Sequence, residues 1–482
     1  MKEAFSAATL WIRMLWWIVE GVYRAGKWIH KQIKLWTRKP AFGDSRFASL
    51  PELKDAGCLD GRGFPVGRLK GSLVSTHHEV HLIMVGITGA GKSLTQRATF
   101  HHAKGETIIS FDPKGEHRRL YEATMQANGY ETLHIDLDRP LTGARYDPFA
   151  FFQHSGTYDH DTDYDTLSRL VVGDWEEGGE DASRHFAELC FAMIAGVIAD
   201  LAVHEPQNST LEHVGQVWTV WSPESRQRYF DRMMSRAGNP TTRIAYNAFK
   251  GAGEKEKGSI ITTLSRKLKP WVTKRYLDLC KPDSRPVWCW EDILNSVKPS
   301  CVFVTGGLGR RDEMAPFLRV FFGEVAASIA RQYNHTGKPL LRLCKVLLDE
   351  TDLVAGCKPL CDIVTQLRSA HVSVFMCFQS FNQIKQNFRG TADTLISNCD
   401  LVVTGGLKTP REYQDVAQLI GNRTVKSVSK GEHGVSESEA ASKLFSESDM
   451  FKMAKTQHLC VLGNQMAILD KPFKIQNNRV MY

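Results

Sequence analysis

The sequence has few of the features that would place a protein outside the cell or across a membrane. Its eleven cysteines are scattered and odd in number, whereas disulfide-held secreted domains are short and carry paired cysteines. No Ala-x-Ala cleavage site follows the N-terminal apolar run, which argues against a signal peptide. Internal repeats and long low-complexity tracts are also missing. We therefore expect a globular body with reduced thiols in the cytoplasm.

The sequence also has little excess of charge of one sign. Of 482 residues, 61 are Lys or Arg and 53 are Asp or Glu, which gives a net charge of +8. The first 50 residues hold nine of the basic and three of the acidic residues, so +6 of the +8 lies there. A composition of 42% hydrophobic and 24% charged residues excludes collagen-like, disordered and multi-span membrane chains. The basic balance is thus mainly a property of the N-terminus.

Residues 1–39 predict an amphipathic basic helix that ends at Pro40. The apolar run at 4–23 contains Arg13 and Glu20, and each would cost roughly 2.5–3.5 kcal/mol near the centre of a bilayer. On a helix, apolar and tryptophan side chains share one face and basic side chains the other. This pattern favours a helix lying in an anionic membrane surface. Docking on a partner's membrane helices and packing on the protein's own body are the alternatives.

The rest of the chain predicts an α/β fold with a mostly parallel sheet, because short apolar runs alternate with helical segments. We assign residues 40–150 and 296–482 to the two parts of one nucleotide-binding domain, and residues 151–295 to an all-α insertion. The predicted strands are 81–85, 107–112, 132–137, 301–305, 344–349, 372–378, 400–404 and 459–462. The predicted insertion helices are 182–202, 211–220, 223–237, 241–250 and 258–267.

The strongest local signal is a complete G-x-x-x-x-G-K-[ST] motif at 86–93, directly after a predicted strand and before a helical stretch. In such a P-loop, backbone N–H groups surround the phosphates of a nucleoside triphosphate. Lys92 is expected to reach the β- and γ-phosphates, and the hydroxyl group of Ser93 is expected to ligate Mg²⁺. The predicted nucleotide-binding residues are Gly86, Thr88, Gly89, Ala90, Gly91, Lys92, Ser93 and Leu94.

A P-loop needs further polar groups for hydrolysis, and three positions supply candidates. The strand at 344–349 ends in Asp349 and Glu350, so Asp349 is the expected second Mg²⁺ ligand and Glu350 the base for the attacking water. Gln379 follows the next predicted strand and is a candidate for sensing the γ-phosphate or positioning water. Arg368 precedes that strand and is a candidate arginine finger donated across a subunit boundary. Lys92, Glu350, Arg368 and Gln379 are thus the predicted catalytic set.

Several further motifs occur in the order found in one known family. The D-P-K-G-E stretch at 112–116 follows the second predicted strand. Together with the P-loop, it resembles the type IV secretion coupling proteins, the TraG/TraD-like ATPases of conjugation. Asp349-Glu350 and Gln379-Ser380 fall where that family carries its Walker B and Gln-Ser motifs. Other segments that resemble the family are 43–48, 146–149, 398–400 and 419–421.

The resemblance covers about residues 40–465 and carries definite implications. It implies a RecA-like P-loop NTPase with an all-α insertion, assembled as a hexameric ring that uses ATP and Mg²⁺. It implies delivery of DNA with its relaxase to a type IV secretion or conjugation channel, and contact with a channel ATPase or inner-membrane components. It also makes Arg368 the best match for the family's finger. With residues 1–39 on the membrane surface, the protein would be peripheral at the inner membrane.

Two other functions are compatible with the same motifs. The first is an FtsK/HerA-like DNA translocase or packaging ATPase that is not linked to secretion. The D-P-K-G-E segment and the membrane-seeking N-terminus favour the coupling protein over this alternative. The second is a membrane-surface scaffold that binds ATP only in order to assemble. The presence of Glu350 disfavours it, because a scaffold needs no base for hydrolysis.

Overall fold

The structure is a computed structural model. It describes residues 16–17, 20–27, 45–154, 160–173, 181–206, 209–236, 238–354, 357–388, 390–405, 407, 409–431, 434–476 and 479–482. The chain divides into two compact units. The smaller unit comprises residues 1–46 and 414–447, and the larger comprises residues 47–413 and 448–482.

The strands of the larger unit include long apolar runs, as expected for a sheet that is covered on both faces. All five residues of β3, β4 and β7 are buried. In chain order the strands are β1 (Pro65–Leu69), β2 (Ser72–Ser75), β3 (His81–Val85), β4 (Thr107–Phe111), β5 (Glu131–Asp136), β6 (Ser300–Thr305), β7 (Cys344–Leu348), β8 (Val372–Phe378), β9 (Cys399–Thr404), β10 (Asn422–Gly431), β11 (Gly434–Lys443), β12 (Gln457–Leu462), β13 (Gln465–Asp470), β14 (Lys474–Gln476) and β15 (Arg479–Met481).

Eleven of these strands form one mixed sheet in the order β2-β1-β13-β12-β9-β3-β8-β7-β4-β6-β5. The seven strands from β9 to β5 are parallel. The four at the other side, β12, β13, β1 and β2, pair in antiparallel fashion. β3, which leads into the P-loop, is therefore an interior strand. The prediction of a mostly parallel α/β sheet is confirmed.

Helices connect and cover the strands. They are α1 (Leu50–Asp55), α2 (Lys92–His101), α3 (Glu116–Ala127), α4 (Ala150–His154), α5 (His160–Val172), α6 (Asp181–His204), α7 (Leu211–Thr219), α8 (Pro223–Ser235), α9 (Pro240–Gly251), α10 (Glu254–Leu268), α11 (Lys274–Cys280), α12 (Trp290–Asn295), α13 (Arg311–Thr336), α14 (Lys358–Gln366), α15 (Phe381–Asn387), α16 (Ala392–Ser397), α17 (Pro410–Ile420) and α18 (Glu447–Lys452). Short 3₁₀ turns are Pro140–Thr142, Lys269–Val272, Thr351–Val354 and Arg368–Ala370.

Between β5 and β6 the described residues contain helices and no strand. Three of these helices begin at side-chain caps: Thr210, Ser222 and Asn239 each accept a hydrogen bond from the backbone N–H three residues later. Within the described residues, His185–His204 of α6 is the one segment long and apolar enough to cross a membrane, judged by length and composition alone. However, 67% of its apolar window is buried inside the protein, where α6 packs against α5 and α9.

In the smaller unit, β10 and β11 form an antiparallel hairpin. Residues 16–17 and 20–27 of its N-terminal part are helical. The Glu20 carboxylate accepts a hydrogen bond from Arg24 at 2.5 Å, and Trp16, Trp17 and Tyr23 are exposed. The rest of the helix predicted over 1–39 lies outside the described residues.

Most predicted elements coincide with observed ones. The eight predicted strands correspond to β3–β9 and β12, and the five predicted insertion helices to α6–α10, each within a few residues. β13, the β10–β11 hairpin and the short strands β14 and β15 were not predicted. β13 does contain a four-residue apolar run at 466–469, whereas the sequences of β10 and β11 are largely polar. The domain boundaries at 40, 151 and 296 remain predictions.

Candidate nucleotide-binding site

The P-loop follows the buried strand β3 and leads into α2, as the motif requires. Gly89 and Gly91 have φ values of +79° and +88°, a region that residues with a side chain rarely adopt. Gly91 is also the N-cap residue of α2. The first turn of α2 therefore presents free backbone N–H groups and the positive end of the helix dipole at the loop. This is the arrangement with which proteins bind phosphates.

Lys92 lies across the loop that precedes it. Its Nζ atom donates hydrogen bonds to the carbonyl oxygens of Gly86 at 2.6 Å and Ile87 at 3.2 Å. Ser93 and Leu94 follow in the first turn of α2 and are partly exposed, while Thr88 and Gly89 are exposed at the tip of the loop. The predicted nucleotide-binding residues thus form one continuous loop and helix start.

Asp349 and Glu350 follow β7, two strands away from β3 in the sheet. Asp349 is 7% exposed, and its Oδ1 atom has no hydrogen-bond partner among the described residues. Thr351 holds this strand end in place, because its hydroxyl donates to the Leu348 carbonyl and accepts a hydrogen bond from the N–H of Cys377 in β8 at 2.9 Å. The structure thus offers a fixed, buried carboxylate oxygen at the edge where the P-loop lies.

Glu350 is half-buried and lies among the other predicted site residues. Burial raises the pKa of its carboxyl group, and the neighbouring Asp349 charge raises it further. The charges of Lys114 and Lys92 lower this pKa, and so does a hydrogen bond with the Gln379 side chain. The structure therefore brings Lys92, Asp349, Glu350 and Gln379 together at one sheet edge.

Arg368 lies elsewhere. It forms a 3₁₀ turn immediately before β8, whereas Gln379 follows the end of the same strand. The seven residues of β8 span about 23 Å at 3.3 Å per residue. Arg368 instead lies near His81, the first residue of β3. Burial, and to a smaller extent the charge of Arg368, lowers the pKa of His81 to about 4. The exposed Arg368 thus lies at the end of β8 opposite to the P-loop edge of its own chain.

The D-P-K-G-E segment contributes residues to the site that were not among the predicted site residues. Asp112 holds the turn that precedes α3, because its carboxylate accepts hydrogen bonds from the N–H groups of Lys114 at 3.0 Å and His117 at 2.7 Å. Gly115 takes a φ of +68°, and Glu116 pairs with Arg97 of α2. The charge of the exposed Lys114 lowers the pKa of the Glu350 carboxyl group. The motif therefore ties α3 to the P-loop helix and adds a lysine to the site.

A second contribution comes from the segment after β13. The Nζ atom of Lys471 donates a hydrogen bond of 2.6 Å to the Ala90 carbonyl of the P-loop, and Phe473 packs beside Gly91. No sequence signal marked these residues, because Lys471 lies 381 positions from Ala90 and the segment belongs to no recognised motif.

The residues present fit a nucleotide with Mg²⁺. Left-handed glycines and a helix N-terminus suit a polyphosphate. The Asp349 Oδ1 atom, buried without a hydrogen-bond partner among the described residues, and the Ser93 hydroxyl are the hard oxygen donors that Mg²⁺ prefers. Within the part of the chain that the structure describes, no cluster of His, Cys, Asp and Glu suits another metal ion.

Comparison with known proteins identifies the family. The family described as type IV secretory system conjugative DNA transfer matches residues 47–473, which is most of the chain. The protein belongs to this family. The resemblance inferred from the P-loop and D-P-K-G-E motifs is thereby confirmed. No curated protein sequence matches the chain.

Solved structures show the same fold. The unbound monoclinic form of the bacterial conjugative coupling protein TrwBdeltaN70 has a TM-score of 0.68 at 17% identity, covering 92% of this chain and 95% of that one. The plasmid coupling protein TrwB in complex with ADP and Mg²⁺ has a TM-score of 0.66 at 17% identity, with coverages of 92% and 96%. TrwB in complex with the ATP analogue ADPNP has a TM-score of 0.66 at 17% identity, and the match covers 92% of this chain and 97% of that one. The α/β P-loop fold of this chain is therefore that of a coupling protein.

Proposed function

We propose that this protein is the coupling ATPase of a type IV secretion or conjugation system, and that it delivers DNA with its relaxase to the transfer channel. Membership of the conjugative DNA transfer family supports the process. The observation that carries the enzymatic part is the grouping of Glu350 with Asp349, Gln379 and Lys92 at the P-loop edge of the sheet. A protein that only bound nucleotide would need no such carboxylate.

ATP and Mg²⁺ are the proposed ligands, and relatives of the same fold were solved with ADP and Mg²⁺ and with an ATP analogue. Asp349 and Ser93 would hold the metal, which when bound neutralises charge on the phosphates. The P-loop amides and Lys92 would bind the polyphosphate. Glu350 would orient water and accept its proton, and Gln379 would hold the Glu350 carboxylate by the hydrogen bond between the two side chains.

We propose that the active form is a homo-oligomeric ring. The resemblance to the coupling-protein family implies that this ring has six subunits. The position of Arg368 supports an assembly in which sites are shared. Its exposed guanidinium lies about one strand length from the P-loop of its own chain, so it would serve as a finger only in a neighbouring subunit. Arg368 would there stabilise the charge that develops on the transferred phosphoryl group.

We propose that residues 1–39 bind the inner face of the cytoplasmic membrane, which would make the protein peripheral there. The exposed tryptophans at 16 and 17 and the exposed Tyr23 support this placement, since aromatic rings favour the headgroup layer. Channel components at the membrane are then within reach. Flotation with anionic vesicles, using the protein with and without residues 1–39, tests the proposal. If the full chain ignores the vesicles, surface binding is wrong.

The enzymatic proposal is tested by ATP turnover with and without single- and double-stranded DNA. We expect DNA-stimulated turnover in the wild type and its loss in Lys92→Ala and Glu350→Gln. Lys298→Ala and Glu131→Gln are matched controls, because this pair joins the end of the sheet that is away from the P-loop. Turnover at the level of buffer in the wild type, with nucleotide still bound, would refute an ATPase. Retention of a co-expressed relaxase would support the coupling role over a translocase unconnected with secretion.

A further inference from the structure

The segment that follows β13 reaches the P-loop because of the sheet topology. β13 is antiparallel to β12, and β12 is antiparallel to β9, so β13 runs in the same direction as β9 and β3. Its last residue, Asp470, therefore ends at the edge where the P-loop begins. The N–H of Lys471 is fixed there by the Thr456 carbonyl at 2.9 Å. Phe473 lies beside Gly91, the N-cap residue of α2, and Tyr482 stacks on His101, the last residue of α2, with ring centroids 4.1 Å apart.

Lys471 makes an unusual contact for a cation. Its side chain is buried with 9% of the residue exposed, and its Nζ atom donates a hydrogen bond of 2.6 Å to the Ala90 carbonyl oxygen. Removal from water lowers the pKa of the ammonium group, and no carboxylate among the described residues offsets this effect. Burial of a cation against one carbonyl does not stabilise the fold. A different role would explain why the position holds a lysine.

The peptide group that Lys471 contacts supplies that role. The Ala90 carbonyl and the Gly91 N–H belong to one planar trans peptide, so the two point in opposite directions. A cation bound to the oxygen fixes the plane of this peptide and polarises its N–H. Gly91 is the N-cap residue of α2, and its N–H belongs to the loop that binds phosphate in a P-loop. Phe473 packs on the same side of Gly91 as Lys471, since a Cβ atom on Gly91 would lie 2.8 Å from the Phe473 ring and 3.6 Å from Lys471 Nζ.

We propose that Lys471 is a positioning residue for nucleotide binding, which acts by fixing and polarising the Ala90–Gly91 peptide of the P-loop. The inference rests on the proposed nucleotide-binding function and extends it to a segment far away in sequence. It makes the residues from Lys471 to Phe473 part of the phosphate-binding structure. A change in this segment alters nucleotide affinity without touching the nucleotide.

The test compares Lys471→Met with the wild type and with Lys474→Met, a matched control at an exposed lysine three residues further on. A fluorescent N-methylanthraniloyl-ADP reports the dissociation constant, and thermal unfolding without nucleotide reports stability. We expect Lys471→Met to weaken binding about tenfold, in the range of one hydrogen bond to a charged group. KM for ATP rises with it, while kcat at saturating ATP and the melting temperature are not lowered.

The outcomes separate the two proposals. Unchanged affinity in Lys471→Met, beside a wild type that binds, overturns this inference and leaves the proposed function standing. Weaker binding together with a lower melting temperature also overturns it, because loss of folded structure then accounts for the effect. A wild type that binds no nucleotide overturns both. Equal weakening in Lys474→Met would show that the net charge of the segment, and not the contact with Ala90, controls binding.

Discussion

The close packing of Gly86 against Thr404 predicts that a larger side chain at position 86 will not fit. Gly86 does not have a positive φ, so an alanine there has no conformational penalty. Its Cβ atom, however, would lie 1.9 Å from Oγ1 and 3.0 Å from Cβ and Cγ2 of Thr404. Either the P-loop or the end of β9 must move. Overpacking of this kind costs about 1–3 kcal/mol, and we expect nucleotide affinity to fall because the loop itself is displaced.

A second substitution restores the space. The Thr404 hydroxyl is buried without a hydrogen-bond partner among the described residues, so Thr404→Ala loses little and leaves only the 3.0 Å contact with Cβ. In a double-mutant cycle we expect Gly86→Ala and Thr404→Ala to couple by about 1–2 kcal/mol. Urea unfolding measures the free energy of unfolding, and titration with a fluorescent ADP measures affinity. A double variant no better than Gly86→Ala, or a Gly86→Ala protein with normal stability and affinity, would refute the reasoning.

Three further outcomes are expected. Turnover should fall on acidification at a pH above the ordinary glutamate pKa of 4.5, because burial raises the pKa of Glu350 and only its ionised form accepts a proton; a pH–rate profile without an acid limb there argues against Glu350 as the base. Arg368→Ala and Lys92→Ala should each be inactive, yet a mixture should regain turnover if the finger acts between subunits, and no recovery contradicts it. Lys345→Met should lower the free energy of unfolding, measured with urea, by about 3–5 kcal/mol. The reason is that the buried Glu106 carboxylate loses the Lys345 ammonium group, its ion-pair partner at 2.7 Å. The double variant Lys345→Met with Glu106→Gln should recover most of this loss.

Local sequence determined the elements of the sheet and the first half of the site. β3 and β7 are unbroken apolar runs, and such runs identify buried parallel strands without any knowledge of their neighbours. The P-loop is contiguous, so its glycines, Lys92 and Ser93 can be recognised as a motif within one stretch of eight residues. Asp349, Glu350 and Gln379 were predicted as site residues because they follow apolar strands, and the ends of parallel strands meet at one edge.

The tertiary structure decided which side chains share that edge and which do not. Strand order placed Glu350 beside Gln379 and Lys114, and the direction of β8 put Arg368, which precedes it, one strand length away from its own P-loop. The antiparallel return through β12 and β13 brought Lys471 onto Ala90. These pairings join residues that are far apart in the chain, and hydrophobic periodicity is a local signal that contains no information about them. The sequence therefore determined the fold class and the phosphate-binding loop, while only the packed sheet decided what surrounds that loop.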